Sequence, residues 1–501
     1  MPPPPPDPVA VLRGHSSDVQ ALQFLCTPGG GSLLASGDIT GVVRLWSLES
    51  LRPVATQQLH DARAGVLCLQ HIAPQQHDGA GCSDGGGSSG ITGTGDGGLL
   101  LSSGRDGSVR AWALREGGLS ERPVFAADTG AFSFCRPHAV CVAGGAGSLG
   151  ACGPAREEPW AAAAGGKQSD ASSSGASGAP VSGAGWMLAC AGINSGEVAV
   201  ADMRAAPSAS VVTLTQGVNR VNIGGAAGGL GMCMALQLLP GGNAGSGASM
   251  HILAGFEDGS LCLWDARAPS APLSHTRAHG DPVLALAAAP RPPRARAAAA
   301  PAPGDATRAD AAAASSTGGA HGARRAPGGK EEEQGGEGSV CRGSGGGGWG
   351  ASEPAPPTLQ ALSGSAGDGL CWWRIHTRGS GDAAGMARVQ ELRLPSAGVS
   401  DVAFRGDGRV AAVACWDGKV RLYSAAKRTP LTLLRYHTKE VTCVRFAPMP
   451  QGDPLCTGSS GGGGEASFGG AGGSPVNIDG LIATASRDST VALWSAYGNG
   501  S

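Results

Sequence analysis

ATASRDSTVALWSA (483–496) is a short apolar run, a turn through Asp488, and an alternating strand that ends at Trp494. Val491 and Leu493 share one face of that strand, because side chains on a strand alternate. The same figure recurs in SSGRDGSVRAWAL (102–114), LAGFEDGSLCLWDA (253–266) and VACWDGKVRLYSA (413–425). In each, an Asp stands six residues before the aromatic: Asp106/Trp112, Asp258/Trp264, Asp417/Tyr423 and Asp488/Trp494. Weaker copies are SGDITGVVRLWSL (36–48), SGSAGDGLCWWRI (363–375) and AGINSGEVAVADM (191–203), which brings the count to seven. Upstream of most copies lies another strand, often opened by His, as in GHSSDVQALQF (14–24), HDARAGVLCLQ (60–70), HGDPVLALA (279–287) and HTKEVTCVRF (437–446). A repeat of this length is one supersecondary unit that buries its apolar face only by stacking on its neighbours.

Between the copies lie four stretches with the Gly/Ala/Ser/Pro bias of disordered linkers, about 75–97, 145–185, 288–357 and 451–478. They raise Gly to 86 of 501 residues, far above the usual share of about 7%. Three of them, 75–97, 288–357 and 451–478, fall between the first and second strands of their repeats. Lengthening a surface loop costs only about 0.6 kcal/mol per doubling, so they need no function to persist. The net charge of −2 gives no global field that favours nucleic acid or anionic lipid. No run reaches the 18 to 20 apolar residues of a membrane span, and Met1 is followed by prolines, not by a secretory h-region. Of the 14 cysteines, Cys68, Cys262, Cys371 and Cys443 sit in apolar strand-like runs, and none has C-x-x-C spacing. A reducing compartment and no metal site are expected.

The repeat resembles the WD40 family, whose units run from Gly-His to Trp-Asp and each build a four-stranded blade. The resemblance implies an all-β fold, a seven-bladed WD40 β-propeller in one domain over 1–501. Its blades are expected at about 14–50, 60–115, 130–204, 231–267, 279–375, 392–425 and 437–497. In that pattern the aromatic lies on the third strand and the fourth strand comes from the next repeat. The seventh repeat has no successor in this sequence, and an unpaired apolar edge is an aggregation hazard. The segment PVAVLRGH (8–15), with residues 8–13 completing the last blade, is expected to close the ring, with the Gly/Ala-rich stretches as disordered loop insertions.

The family pattern also implies a buried chain of His, Ser/Thr, Asp and Trp that locks each blade. Two repeats carry all four members: His60, Ser102, Asp106 and Trp112, then His437, Thr484, Asp488 and Trp494. Satisfied networks of this kind specify one packing. Thr40 stands where the first repeat would have Asp, and Ala201 where the third would have Trp. His15 and His279 also open repeats and read as structural locks.

Catalytic patterns occur but lack their context. GTGDGG (93–98) matches the dinucleotide fingerprint but follows a linker and precedes a strand. GCSDG (81–85) and GGSSG (86–90) match a nucleophile elbow without its strand–turn–helix. The turn carboxylates belong to different blades, so no shared acid/base pair is expected. The expectation is therefore no enzyme, no catalytic residues, no cofactor, no metal and no small-molecule substrate.

Surfaces remain. The residue before each turn Asp is expected on the rim, which makes Arg105, Glu257, Trp416 and Arg487 candidate partner contacts, with Trp372 beside them. Trp and Arg are over-represented among binding hot spots. The stretches PPPPPDPVAVLRGHSSDVQALQF (2–24), LAGFEDGSLCLWD (253–265), CWDGKVRLYS (415–424) and SRDSTVALWSAYG (486–498) together resemble the ASTRA-associated branch of the WD40 family. The resemblance implies a scaffold of the ASTRA complex in chromatin regulation. It implies work with the Triple-T co-chaperone in maturing phosphatidylinositol-3-kinase-related kinases, in nucleus and cytoplasm, as a monomer within a complex. No coiled-coil heptads precede the first repeat, so a G-protein β subunit holding a γ partner is disfavoured. Neither direct nucleic acid nor a membrane is expected as a partner. A ubiquitin-ligase substrate adaptor and a histone reader are the alternatives, and the second requires a clustered basic rim or a pocket for a histone tail.

Overall fold

The computed structural model describes residues 6–26, 32–73, 98–130, 132–142, 185–194, 196–203, 211–214, 229–240, 250–291, 358–377, 385–449 and 480–495. The four Gly/Ala-rich stretches lie almost wholly outside these residues, as do the catalytic look-alikes at 81–85, 86–90 and all but the last residue of 93–98. The described strands form seven antiparallel sheets. Blade one is Val19–Cys26, Ser32–Asp38, Val42–Ser47 and Pro53–Gln58. Blade two is Cys68–Ile72, Leu99–Ser103, Ser108–Arg115 and Phe125–Asp128. Blade three is His138–Val142, Gly185–Ala191, Val198–Asp202 and Val211–Leu214. Blade four is Cys233–Pro240, Met250–Phe256, Ser260–Asp265 and Ser274–Arg277. Blade five is Val283–Pro290, Leu359–Ser365, Gly369–His376 and Gly385–Arg393. Blade six is Val399–Phe404, Val410–Cys415, Lys419–Ser424 and Pro430–Arg435.

Blade seven combines Val441–Phe446, Leu481–Ser486 and Thr490–Ser495 with the N-terminal strand Ala10–Arg13. Ala10 pairs with Leu493 and Arg13 with Thr490, and Val9 N–H donates to the Leu493 carbonyl at 2.8 Å. The expected closure by the N-terminal strand is therefore present, and the apolar edge of the last repeat is covered.

Apolar residues from adjoining blades make the core. Trp112 joins Leu25, Leu45 and Val66 between blades one and two, and Trp494 joins Val410, Leu422 and Val444 between blades six and seven. Close approach of the blades requires very small residues nine positions before the repeat aromatic. A Cβ on Gly37 would lie 2.5 Å from Val66 Cγ1, and one on Gly255 the same distance from Val283 Cγ1.

Up-and-down strand order puts the joins between blades and the turns between second and third strands on one face. The first-to-second connections lie on the other. All four Gly/Ala-rich stretches are first-to-second connections, 145–185 in blade three included. The stretch expected from 288 begins later, because Ala288, Ala289 and Pro290 still pair with Ala361, Gln360 and Leu359.

Candidate functional site

In blades one, four, five, six and seven the first strand carries a register shift two residues in. The intervening residues are Gln20, Met234, Leu284, Ser400 and Thr442. A bulge re-aims a side chain, and all five line a central channel of about 920 Å³. Two of them tie the ring together: Ser400 Oγ donates to the Val441 carbonyl at 2.5 Å, and Thr442 Oγ1 to the Val19 carbonyl at 2.5 Å.

Arg105, Glu257, Trp416 and Arg487, from blades two, four, six and seven, all line this channel. Arg105 donates from Nη2 to Gln20 Oε1 at 3.1 Å and lies 5.6 Å from the Phe134 ring centroid. Glu257 accepts from Met232 N–H at 3.1 Å. Arg487 Nε is 3.1 Å from Glu440 Oε2. Trp416 is 42% exposed, with the rest of its indole packed over Gly398, whose φ of +91° and lack of Cβ leave room for it.

Trp372 does not belong with them. It is 1% exposed and packs with Val399, Val402 and Val413 of blade six. Strand alternation explains the burial. Trp373 takes the repeat-aromatic position and packs toward blade four with Leu253 and Leu263, so Trp372 must enter the opposite interface. It is excluded as a surface contact.

Exposed apolar residues outside the repeat pattern extend the mouth. Phe132 and Phe134 are 67% and 45% exposed, with ring centroids 5.6 Å apart, while Ile193 and Met232 stand on the neighbouring turns. They sit in the joins and turns of blades two to four, where the spacing rules of the repeat are silent.

Beneath the mouth lie the polar chains. In blade seven Trp494 Nε1 donates to Thr484 Oγ1 at 3.0 Å, and Thr484 meets His437 Nε2 at 2.8 Å. His437 Nδ1 meets Asp488 at 3.0 Å. In blade two Trp112 reaches Ser102 at 2.9 Å and Ser102 reaches His60 at 2.8 Å. His60 then contacts Asp106 only through Ser108, at 3.0 and 2.7 Å. Every link has a proton if each imidazole is neutral with its hydrogen on Nδ1. Burial, with Arg110 next, pushes His60 down to about 4. Burial alone would raise the Asp488 carboxyl, but bonds from His437 and Thr490 outweigh it and hold it well below the usual range.

Blade one departs from the expectation of a missing Asp. Asp38, eight residues before Trp46, takes the part, with His15 Nδ1 at 2.7 Å, His15 Nε2 at 2.7 Å from Ser36, and Trp46 Nε1 donating to Ser36 at 2.8 Å. Thr40, in the usual Asp position, donates to Asp38 instead, at 2.6 Å. Blade five keeps His279, Ser363 and Trp373 at 2.8 and 2.9 Å. Blade six substitutes an ion pair: Arg421 Nη1 and Nη2 reach the two Asp417 oxygens at 3.1 and 2.7 Å. Blade four has neither: Ala254 stands ten residues before Trp264, where other blades have Ser or Thr, and Trp264 Nε1 is buried without an acceptor.

Among the described residues no three His, Cys, Asp or Glu converge as a metal site, and no helix is long and apolar enough to cross a membrane.

The chain carries WD40 repeats: the family model for the WD domain, G-beta repeat, matches residues 6–47, and that for the anaphase-promoting complex subunit 4 WD40 domain matches 387–448. It is similar to guanine nucleotide-binding protein subunit beta-like protein 1 of Mus musculus, 26% identical over 499 residues, which cover 99% of this chain and 98% of that protein. ASTRA-associated protein 1 of Verticillium alfalfae is 48% identical over 56 residues, 11% of this chain and 13% of that one. The protein of the same name from Schizosaccharomyces pombe is 28% identical over 100 residues, 20% and 19% of the two chains. The β-propeller domain of Cps50 (Swd1) from Myceliophteria thermophila superposes with a TM-score of 0.52 at 12% identity, covering 98% of this chain and 100% of that one, and shows the fold alone.

Proposed function

We propose that this protein is a scaffold of the ASTRA complex, acting with the Triple-T co-chaperone in maturing phosphatidylinositol-3-kinase-related kinases, in nucleus and cytoplasm. The propeller with its WD40 repeats supports a protein-interaction role. Resemblance to two proteins named ASTRA-associated protein 1 supports the finer reading. The observation that carries the interaction role is the convergence of Arg105, Glu257, Trp416 and Arg487 on one channel mouth, beside exposed Phe132 and Phe134. Trp and Arg over a rigid ring suit a protein partner, since both are enriched at binding hot spots and the aromatic supplies large contact area at low entropic cost. The proposal includes no catalysis.

The test is co-purification of the tagged full-length protein from its own cells, beside Trp416→Ala, with partners identified by mass spectrometry. Recovery of Triple-T or kinase subunits, weakened by Trp416→Ala, supports both complex and mouth. Unchanged recovery keeps the complex and moves the contact elsewhere. A ubiquitin-ligase core or histones in their place would overturn the ASTRA reading.

A further inference from the structure

Below the mouth, one carboxylate serves two guanidinium groups. Arg136, in the lead-in to blade three, reaches across the channel to Asp401 of blade six, with Nη1 2.6 Å from Oδ1. Its Nη2 donates to the Thr442 carbonyl of blade seven at 2.8 Å. Arg445 of blade seven places Nη1 2.5 Å from Asp401 Oδ2, and that oxygen also accepts from Val444 N–H at 3.0 Å. Both carboxylate oxygens are therefore engaged, and the cluster keeps one positive charge in excess.

Nothing described nearby cancels that charge. Burial, then Arg445, pushes His138 down to about 4, which leaves it neutral. Burial pushes the Cys443 thiol up to about 12 and raises that of Cys68, so neither supplies a thiolate. The other carboxylates lining the channel are Glu257, which accepts from Met232, and Glu440, which is paired with Arg487. Arg105 at the mouth adds a second cation whose described partners are an amide and an aromatic face. Arg136 and Arg445 are each 25% exposed, and both line the channel. Both described hydrogen bonds of Arg445 run from Nη1, to Asp401 and to the Val444 carbonyl. A partly desolvated guanidinium is costly without a counter-charge, and its planar fork matches an oxyanion.

We propose that the central channel binds an anionic oxygen group between Arg136 and Arg445, at the level of Asp401. The group is a small phosphate or carboxylate, either free or carried on an acidic side chain of a docked segment. The recognition chemistry is the same in both cases, and the two sources are separated by the probe. This site is independent of the scaffold reading, because its test uses the purified chain alone.

The experiment titrates the full-length protein with inorganic phosphate, followed by the broadening of its phosphorus resonance. In parallel it uses the peptide acetyl-Gly-Glu-Gly-amide, with the Gln form as control, followed by calorimetry. Ionic strength is held constant with chloride. Saturable phosphate binding that weakens about tenfold or more in Arg445→Gln, as expected for one charge-assisted pair, assigns a free oxyanion site. Binding of the Glu but not the Gln peptide, with the same dependence on Arg445, assigns an acidic side chain. Arg445→Lys keeps the charge, removes the fork, and serves as second variant if Arg445→Gln does not fold; it too should weaken the probe. Absence of saturable binding by either probe in the wild-type protein, or binding unchanged in the Arg445 variants, overturns the proposal.

Discussion

Lowering the pH from 7.5 to 5.5 should remove about 3 kcal/mol of stability, and the loss should come from histidines that the fold holds neutral. His60 and His279 are both buried, and burial leads in pushing each from 6.5 down to about 4. For His279, Arg388 adds to the shift while Glu391 and Asp281 oppose it. The unfolded chain takes up these protons near pH 6.5 while the folded chain refuses them until about 4. The stabilisation is therefore complete above 6.5 and is lost as pH falls through the window between the two values. At pH 5.5 each site has lost about 1.4 kcal/mol, against about 0.4 at pH 6.5, so the curve steepens with acid. His138, also at about 4 but partly open to the channel, adds up to about 1 kcal/mol more.

The carboxylates do not contribute in this window. Asp38, Asp401, Asp417 and Asp488 are all held below their ordinary value, so they stay ionised in both states until the pH nears 4. Glu440, raised by burial, opposes the trend at the acid end. The assay is urea unfolding by tryptophan fluorescence at pH 7.5, 6.5 and 5.5 at constant ionic strength. It is repeated on His279→Gln, whose pH-dependent loss should shrink by about 1.4 kcal/mol whatever its absolute stability. A flat profile, or a slope that His279→Gln leaves unchanged, would refute the reasoning.

Two further predictions concern packing and the polar chains. Gly37→Ala should destabilise by about 1–3 kcal/mol, because its Cβ meets Val66 at 2.5 Å across the blade interface. Gly280→Ala, with nothing within 4 Å, should change the urea midpoint little. Thr484→Val should cost about 1–3 kcal/mol by leaving Trp494 Nε1 without its acceptor. Ala254→Ser, which gives the buried Trp264 Nε1 an acceptor at the matching position, should raise the midpoint; an unchanged or lower midpoint would show that blade four has no room for it.

The fold was legible because the turn and the repeat aromatic are local features at fixed spacing. What escaped was either displaced or non-local. Asp38 does its work two residues ahead of the expected position, so a rule that looked six before Trp46 found Thr40. The burial of Trp372 was open to a longer ruler: Ser36, Ser102, Ser363 and Thr484 each stand ten residues before their Trp. That ruler selects Trp373 and consigns Trp372 to the interior. Blade three has Ala201 and Ala191 at both diagnostic positions and is held by apolar contacts such as Leu188, Val198 and Val200. Of the site, the four turn residues were legible because the repeat dictates where they point. Phe132 and Phe134 lie in a join between repeats, and Arg136, Asp401 and Arg445 meet only once the ring has closed.

The distribution of the insertions bears on which face works. Loop closure itself costs little as a loop lengthens, so closure entropy alone would not sort the Gly/Ala-rich stretches to one side. Yet all four join first to second strands and leave from the face opposite Trp416 and Arg487. On the mouth face the turns between second and third strands stay short, closed in several blades by an Asp that caps its own turn: Asp106 accepts from Ser108 N–H, Asp258 from Ser260 N–H and Asp488 from Thr490 N–H. An insertion in those turns would break the cap, the link to His437 or its counterpart, and the packing of the blade, a cost far above loop closure. The requirements that make the blades rigid thus also keep these turns short around the channel, where Arg105, Glu257, Trp416 and Arg487 gather.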